Sequence, residues 1–363
     1  VSPPLVYPDL SPVKGVRTFT VKNPSEALYL CKCAIEKEGT PVETRNGSAL
    51  EFDTPVAITY NKPRERVLFY AQRDANPVFH LMESLWMLQG RNDVEWISQF
   101  NGRINTYSDD GAHFHGAYGY RWKTWFKKDQ LEHATHRLLT YKNDRRTVLT
   151  MWDPHHDLVK TNDGKDYPCN TQIFLKKRDN YLDMTVINRS NDMIWGALGA
   201  NAVHMSFLQE YMAAKTGTKV GIYTQFSNNL HVYLDTLEKL NTPQPLRADY
   251  DAYGTRSIKP QPLVDDIECF NKELELFFKV DPITWAYYDW TPRGSGSSGR
   301  WVTPLWKNSF FPGVALPMLK TWQLYKKKDL VAAREETCKI TSPDWAIALR
   351  EWLDRRRIRT HAK

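Results

Sequence analysis

Cys169 stands in the stretch DYPCNTQIF, directly after a proline and just before an alternating run that reads as a strand. A thiol at such a corner can act as a nucleophile once ionised, or serve as a small buried apolar group. Residues further along supply what ionisation needs. In NRSNDMIWG, Arg189, Ser190 and Asp192 lie at i, i+1 and i+3, at the end of a strand that enters a helix. An arginine fork and a hydroxyl both hold phosphate oxygens. The same positive charge beside a thiol lowers its pKa and makes thiolate available. The competing reading is an Arg–Asp ion pair at the surface, of little energetic consequence.

Three more positions have side chains suited to such a site. Glu83 is an acid on an otherwise apolar helix, MESLWMLQG, where a carboxyl group must be satisfied and its pKa tuned. His231 and Tyr233 stand at i and i+2 on a strand and so share a face. Neither feature names a reaction alone.

The elements that must position these groups can be read along the chain. Residues 1–24 are Pro-rich and extended. PSEALYLCKCAIEKEG reads as a helix with Ser25 as its N-cap and Gly39 at its end. PVFHLMESLWMLQG is a second helix that stops at Gly90, and a Gly/His/Asp-rich loop, YSDDGAHFHGAYG, follows it. The runs RTVLTMW, TQIFLKKR and YLDMTVINR are strands. MIWGALGANAVHMSFLQEYMAAKTG is one long apolar helix of the kind that is buried. FSNNLHVYLDTLEKL begins as strand or loop and becomes helix. Beyond Pro245 lie a helix in VDDIECFNKELELFFK and helical stretches within LPMLKTWQLYKKKDLVAAREE and SPDWAIALREWLDRRRIR. Between them, TPRGSGSSGRW lacks the Lys-Ser/Thr ending of a P-loop and reads as a mobile surface loop. The expected organisation is a mixed α/β (α+β) fold in three parts: an extended segment 1–24, a catalytic domain over 25–248, and a mainly helical extension 249–363 packed on it.

Composition bounds the function. The chain has 363 residues, 41% apolar, with thirteen Trp and eighteen Tyr, enough for a substantial core. Its five cysteines are scattered with no CxxC pair, so neither a disulfide framework nor a metal site is expected, and a reducing compartment is. No run of ~18 apolar residues is present and VSPPLVYPDLSPVKG has no apolar signal core, which predicts a soluble, cytoplasmic protein with no membrane partner. A net charge of +7 favours anionic ligands, either nucleic acid or phosphate-bearing small molecules.

Six motifs in order carry a family resemblance. YPCN…QIFL, NRSNDMIWG and NNLHVYLDTLE resemble the Pro-Cys-His, Arg-Ser-x-Asp and His-x-Tyr motifs of thymidylate synthases. MESLWMLQG resembles the family's Glu-bearing helix, GAYGYRW its Tyr-Gly segment, and DRRTVLTMWDP its paired-arginine strand. The resemblance spans Arg45 to Glu238. It implies the thymidylate synthase-like fold, a large mixed β-sheet flanked by helices, and a homodimer formed through sheet packing. It also implies a deoxyuridylate (dUMP) type of substrate and 5,10-methylenetetrahydrofolate as one-carbon donor.

The resemblance implies a role for each matched residue. Cys169 becomes the nucleophile that adds to carbon 6 of the pyrimidine, and Glu83 organises water and proton transfers. Tyr118, Asn170 and Asp192 complete the catalytic positions. Arg45, Arg189 and Ser190 hold the phosphate, with Arg145 and Arg146 lent by the other subunit. His231 and Tyr233 reach the sugar hydroxyl. Asn201 reads the uracil edge, because an amide offers donor and acceptor together; this match assumes one inserted residue in GALGAN. In relatives acting on cytosine an acidic residue tends to occupy that place. Asp192 faces the pterin ring, with Gly196, Arg73 and Asn105 as further folate contacts.

The departures from the pattern concern the product. Asn170 stands where the family has His, and the tryptophans before the Tyr-Gly segment are replaced by polar residues, Asn105 and Ser108. The closing C-terminal tail is not recognisable; the chain ends LDRRRIRTHAK. An indole there would exclude water from the exocyclic methylene, and polar residues would admit it. The chain therefore resembles the phage-type deoxyuridylate hydroxymethylases of this family more than its methylases. Thymidylate synthesis, deoxycytidylate hydroxymethylation and a non-catalytic nucleic-acid-binding module built on the basic run Arg355–Lys363 stand as the alternatives.

Overall fold

The computed structural model describes residues 15–159, 164–240, 251–279 and 306–361. The Gly/Ser loop, the 248/249 boundary, most of the extended segment and the last two residues lie outside them. Strands β1 (Arg17–Val21), β2 (Thr40–Thr44), β3 (Gly47–Glu51), β4 (Val56–Tyr60) and β5 (Val148–Thr150) precede β6 (Asn170–Arg178) and β7 (Tyr181–Asn188). Strands β8 (Asn191–Asp192), β9 (Lys219–Ser227) and β10 (Leu230–Tyr233) follow. They form a mixed six-stranded sheet, β1-β4-β9-β7-β6-β5, and a four-stranded one, β2-β3-β10-β8.

One face of the large sheet carries the core. The helix Asn201–Lys215 is buried along Asn201–Ala213 and packs on β7 and β9. Helix Pro77–Gln89 packs on it in turn, capped by Asn76 at its start and closed at Gly90, whose φ of 82° is left-handed. The opposite face leaves Val148, Phe174, Tyr181 and Ile222 exposed on β5, β6, β7 and β9.

The C-terminal part shares this core. Trp345, Leu349, Trp352 and Leu353 of the helix Pro343–His361 are buried in the apolar cluster that also contains Leu81, Leu85 and Trp86. Each such side chain contributes about 2 kcal/mol by burial, so the extension is not a loosely tethered tail. Its basic run is engaged where it begins. Arg355 Nε donates to Asp74 Oδ1 (3.0 Å), and Arg356 donates to both oxygens of Asp74 (2.5 and 3.0 Å). Arg355 and Arg356 are thus part of the fold, not an open charged face.

Several elements differ from the expectation. Asn23, not Ser25, caps helix Pro24–Glu38, accepting the Glu26 N–H, while Ser25 is buried. The paired arginines precede β5, because Asp144 accepts the Arg146 N–H and turns the chain before the strand starts. The stretch LPMLKTWQLYKKKDLVAAREE divides into two helices, Leu316–Lys326 and Leu330–Glu336, ahead of the helix Pro343–His361. The long apolar helix divides into a π-helical segment, Met193–Ala200, with non-helical angles at Leu198 and Gly199, and an α-helix from Asn201. No described helix is long and apolar enough to cross a membrane. The described residues contain no group of three or more His, Cys, Asp or Glu placed to hold a metal ion.

Candidate active site

Cys169 closes the loop that leads into β6, and Arg189, at the end of β7, grips that loop. Its backbone N–H donates to Cys169 O (2.9 Å), its Nε to Pro168 O (3.0 Å) and its Nη2 to Tyr167 O (3.3 Å). Nη2 also lies 3.9 Å from Cys169 Sγ. The arginine acts in the expected sense, but burial is larger and pushes the half-buried thiol above its usual range, with Asp166 and Asp192 adding to it. The resting group is a thiol, not the ready thiolate that the Arg–Cys spacing alone suggests. Tyr118, its own hydroxyl pushed up by burial and by Cys169, accepts the Asn170 N–H (3.4 Å).

Asn170 is 0% exposed; its Nδ2 donates to Asn201 Oδ1 (3.2 Å), and its Oδ1 has no partner among the described residues. The π-helical turn explains how Asn201 arrives there. The Asn201 N–H bonds to Gly196 O, five residues back, so the turn holds one residue more than an α-helical turn. The turn thus accommodates one residue more before Asn201, whose side chain still meets Asn170. Gly196 leaves the space: a Cβ on it would stand 2.5 Å from Asn191 Oδ1 and 3.2 Å from Asn201 Nδ2.

Asp192 begins the π-helical segment. Its Oδ1 accepts the N–H of Ile194 (2.8 Å) and Trp195 (2.6 Å), while Oδ2 is buried without a partner among the described residues. Burial raises this carboxyl above its ordinary range and lowers the neighbouring His231 below its own. His231 pairs with Asp192 in the register of β10 and β8, and its Nδ1 lies 2.7 Å from Asn229 Oδ1. Tyr233 lies two residues on, and its hydroxyl accepts from Asn46 Nδ2 (3.2 Å) in the exposed β2–β3 turn that carries Arg45. The small sheet thus groups Arg45, Tyr233, His231 and Asp192.

Glu83 Oε2 is 3.1 Å from His204 Nε2, which reaches it from the buried helix. Beside them His80 is held below the usual histidine range by burial, then by Arg73 and His204, and stays neutral. Arg73 is itself buried, with its pKa lowered to about 10 by that burial. Its Nε donates to Ile194 O (3.0 Å) and its guanidinium lies 4.1 Å over the Trp195 ring, which is 52% exposed. A cavity of about 510 Å³ opens beside this pair, lined also by Asp74, Arg103 and Lys239.

The family model described as thymidylate synthase matches residues 28–278. The chain belongs to the thymidylate synthase family. Among curated relatives, a protein named deoxyuridylate hydroxymethyltransferase from Pseudomonas phage M6 is 42% identical over 96% of this chain and 97% of its own length. One of the same name from Bacillus phage SP01 is 36% identical over 60% of this chain and 59% of its own. A putative thymidylate synthase from Methanothermobacter marburgensis (strain ATCC BAA-927 / DSM 2133 / JCM 14651 / NBRC 100331 / OCM 82 / Marburg) is 35% identical over 55% of this chain and 85% of its own.

The fold expected from the motifs is the one found, and the thymidylate synthase match extends past Glu238 to end at residue 278, within the helix Ile267–Lys279. The structure brings Cys169, Tyr118, Asn170, Arg189, Asn201 and Gly196 into one chain of contacts, and sets Asp192, Arg73 and Trp195 beside one another. Ser190 is half-buried between Arg189 and Asn191. Arg145 and Arg146 stand apart, exposed, with Arg145 in a cavity shared with Phe174, Arg178 and Ile222 on the open face of the large sheet. Asn105 is exposed in the turn Gly102–Tyr107, and the Ser108 hydroxyl donates to His113 O within its own loop. Trp195, His204, Asn191 and Gln225 went unrecognised in the sequence. The sequence points the wrong way for Gln225: in KVGIYTQFS it alternates with the apolar Val220, Ile222 and Phe226, yet the buried positions of β9 are Tyr223, Gln225 and Ser227.

Proposed function

We propose that this protein adds a hydroxymethyl group to carbon 5 of deoxyuridylate, using 5,10-methylenetetrahydrofolate and water. The observation that carries the reading is the Cys169 corner: a half-buried thiol held at 3.9 Å from Arg189, next to a fully buried amide pair, Asn170 and Asn201. Carbon 5 of uracil is a weak nucleophile. A thiolate bonded to carbon 6 turns the ring into an enolate and makes carbon 5 reactive. Because burial disfavours the free thiolate, the positive charge of Arg189 must offset that cost as the bond to carbon 6 forms, while the thiol proton is released to water.

Asn201 offers the base edge one acceptor and one donor. Arg45, Arg189 and Ser190 supply cationic and hydroxyl contacts for a phosphate, and His231 and Tyr233 face the sugar. Glu83, with His204 beside its Oε2, receives the proton from carbon 5 and directs water. Once that proton has been handed on to the leaving amine, the ionised Glu83 would accept a proton from the water whose oxygen adds to the ring's exocyclic methylene; the carbon 6–sulfur bond then breaks, and the sulfur recovers a proton from Glu83 to return the Cys169 thiol. The residues suit a folate: the exposed Trp195 ring offers a stacking surface backed by Arg73, and the unpartnered Asp192 Oδ2 faces a need for a donor. When bound, the folate supplies the one-carbon unit at the oxidation level of formaldehyde. The exposed, polar Asn105 segment in place of an indole supports water as the final reactant over hydride, and so does the name that the phage relatives bear.

A homodimer follows from the outer end of the site. The exposed apolar residues Val148, Phe174, Tyr181 and Ile222 share the sheet face beside which Arg145 and Arg146 emerge. Packing of that face against a second copy would carry both arginines to the neighbour's phosphate. The test is the product. Mass spectrometry after incubation with dUMP and methylenetetrahydrofolate is expected to show a nucleotide one oxygen atom heavier than thymidylate, with tetrahydrofolate released. Thymidylate with dihydrofolate would overturn the hydroxymethylase reading, and turnover of dCMP in preference to dUMP would overturn the substrate.

A further inference from the structure

A line of side-chain amides runs inward from the nucleophile's neighbour. Asn170 Nδ2 donates to Asn201 Oδ1 (3.2 Å), and Asn201 Nδ2 donates to Asn191 Oδ1 (3.0 Å). Asn191 Nδ2 donates to Gln225 Oε1 and to Ser227 Oγ, each at 3.3 Å. Gln225 Nε2 donates to the backbone carbonyl of Ala197 (2.7 Å) and to the Tyr60 hydroxyl (2.6 Å). All of these side chains are buried, and they come from β6, the start of helix Asn201–Lys215, β8, β9 and β4.

The line has a direction, and its inner end sets it. A backbone carbonyl only accepts, so Gln225 must turn its NH2 group toward Ala197; the reverse would oppose two oxygens at 2.7 Å. Gln225 Oε1 then faces Asn191 and requires its Nδ2. Asn191 Oδ1 in turn requires the Nδ2 of Asn201, and Asn201 Oδ1 requires the Nδ2 of Asn170. An isolated primary amide turns over by half a rotation with almost no change of shape. Here a single main-chain acceptor removes that freedom from four amides in succession. The line ends on Asn170 Oδ1, a buried acceptor with no partner among the described residues, beside Cys169.

We propose that Gln225 and Asn191 are positioning residues that lock the Asn201 amide in the orientation that reads a 4-oxo, 3-NH pyrimidine and rejects a 4-amino one. The proposal rests on the assignment of Asn201 as the reader of the base edge. Uracil presents an N–H beside a carbonyl, whereas cytosine presents a bare ring nitrogen beside an amino group. An asparagine free to turn over matches both edges. A locked one, with one lone pair and one N–H left, matches only the first, so discrimination lies in the relay as well as in the residue at 201.

The experiment compares dUMP and dCMP affinity by calorimetry for the full chain, for Asn191→Ala and for Gln225→Leu, with thermal melting alongside. Asn191→Ala breaks the line while leaving Gln225, Tyr60 and Ala197 in place, and serves if Gln225→Leu does not fold. The dUMP-to-dCMP preference is expected to fall about tenfold or more, chiefly because dCMP gains relative to dUMP. Equal weakening of both nucleotides at an unchanged ratio would overturn the lock, since a merely structural role moves both alike. Asn201→Ala separates the two levels: if that variant keeps the full preference, the base is read elsewhere and the underlying site assignment is what fails.

Discussion

Around Asn170 and Asn201 each amide is held by the next, both residues are buried, and the contacts all come from one chain. Around Arg45, Arg145 and Arg146 the opposite holds: three exposed residues stand on turns, the first between β2 and β3 of the small sheet and the other two before β5 of the large one. A base edge is read by hydrogen bonds whose direction matters, and a direction has to be set before the ligand arrives. A phosphate is a diffuse double charge, and mobile cations at the protein surface serve it well once they converge. The inner end is therefore built by preorganisation in a low-dielectric interior, and the outer end is left for a second subunit and the ligand to complete.

The sharpest way to test the inner end is Cys169→Ser. Turnover is expected to fall roughly a thousandfold or more while nucleotide binding survives, because the relay that reads the base is untouched. Loss of binding together with rate would show that the thiol also holds the nucleotide. At the outer end, joint replacement of Arg145 and Arg146 by Ala is expected to raise KM for the nucleotide about a hundredfold with a smaller effect on kcat. Mixing that variant with Cys169→Ser should restore turnover at low nucleotide concentration, which neither variant shows alone. No recovery would mean that the arginines serve their own chain.

A smaller effect bears on the boundary between the two ends. Since burial raises the Cys169 thiol and Arg189 opposes it, alkylation by iodoacetamide should keep rising with pH beyond the ordinary thiol range. Arg189→Gln is expected to slow it about threefold to tenfold at neutral pH, measured by mass spectrometry of the Cys169 peptide. An unchanged rate would leave Arg189 a phosphate ligand only.

The least effect is expected at the seam with the C-terminal helix. Burial opposes ionisation of Asp74, but Arg356 and Arg355 outweigh it and hold the carboxyl below its usual range. That stabilisation is complete above the unfolded-state pKa and is lost as pH falls through the folded one. Asp74→Asn should therefore cost about 1 kcal/mol at neutral pH and progressively less in acid, read from denaturant midpoints. Equal loss at both pH values would place the effect in packing instead of charge.

Much of the candidate site around Cys169 could be read from local spacing. Cys169, Arg189, Asp192, His231 and Tyr233 sit in short motifs at strand ends, where backbone direction follows from the residues alone. The helices ending at Gly39 and Gly90 were legible for the same reason. Arg145 and Arg146 were assigned to a strand because the β-branched run after them hides the turn that Asp144 imposes. The division of the long apolar helix was hidden too, since hydrophobic periodicity hardly separates a π-turn from an α-turn over eight residues.

What the chain order by itself determined is the inventory: a thiol after proline, its arginine, a set of amides, and the family to which they belong. Only the tertiary structure decided how they act. Burial reversed the sign of the shift expected for the Cys169 thiol, because desolvation scales with packing that no motif encodes. Asp74 met Arg355 and Arg356 across 281 and 282 residues of chain, tying the start of the basic run to the fold. The buried amides of four separate segments acquired a common direction from the carbonyl of Ala197, since a hydrogen bond's polarity is set by what stands opposite, and only folding brings that group into place.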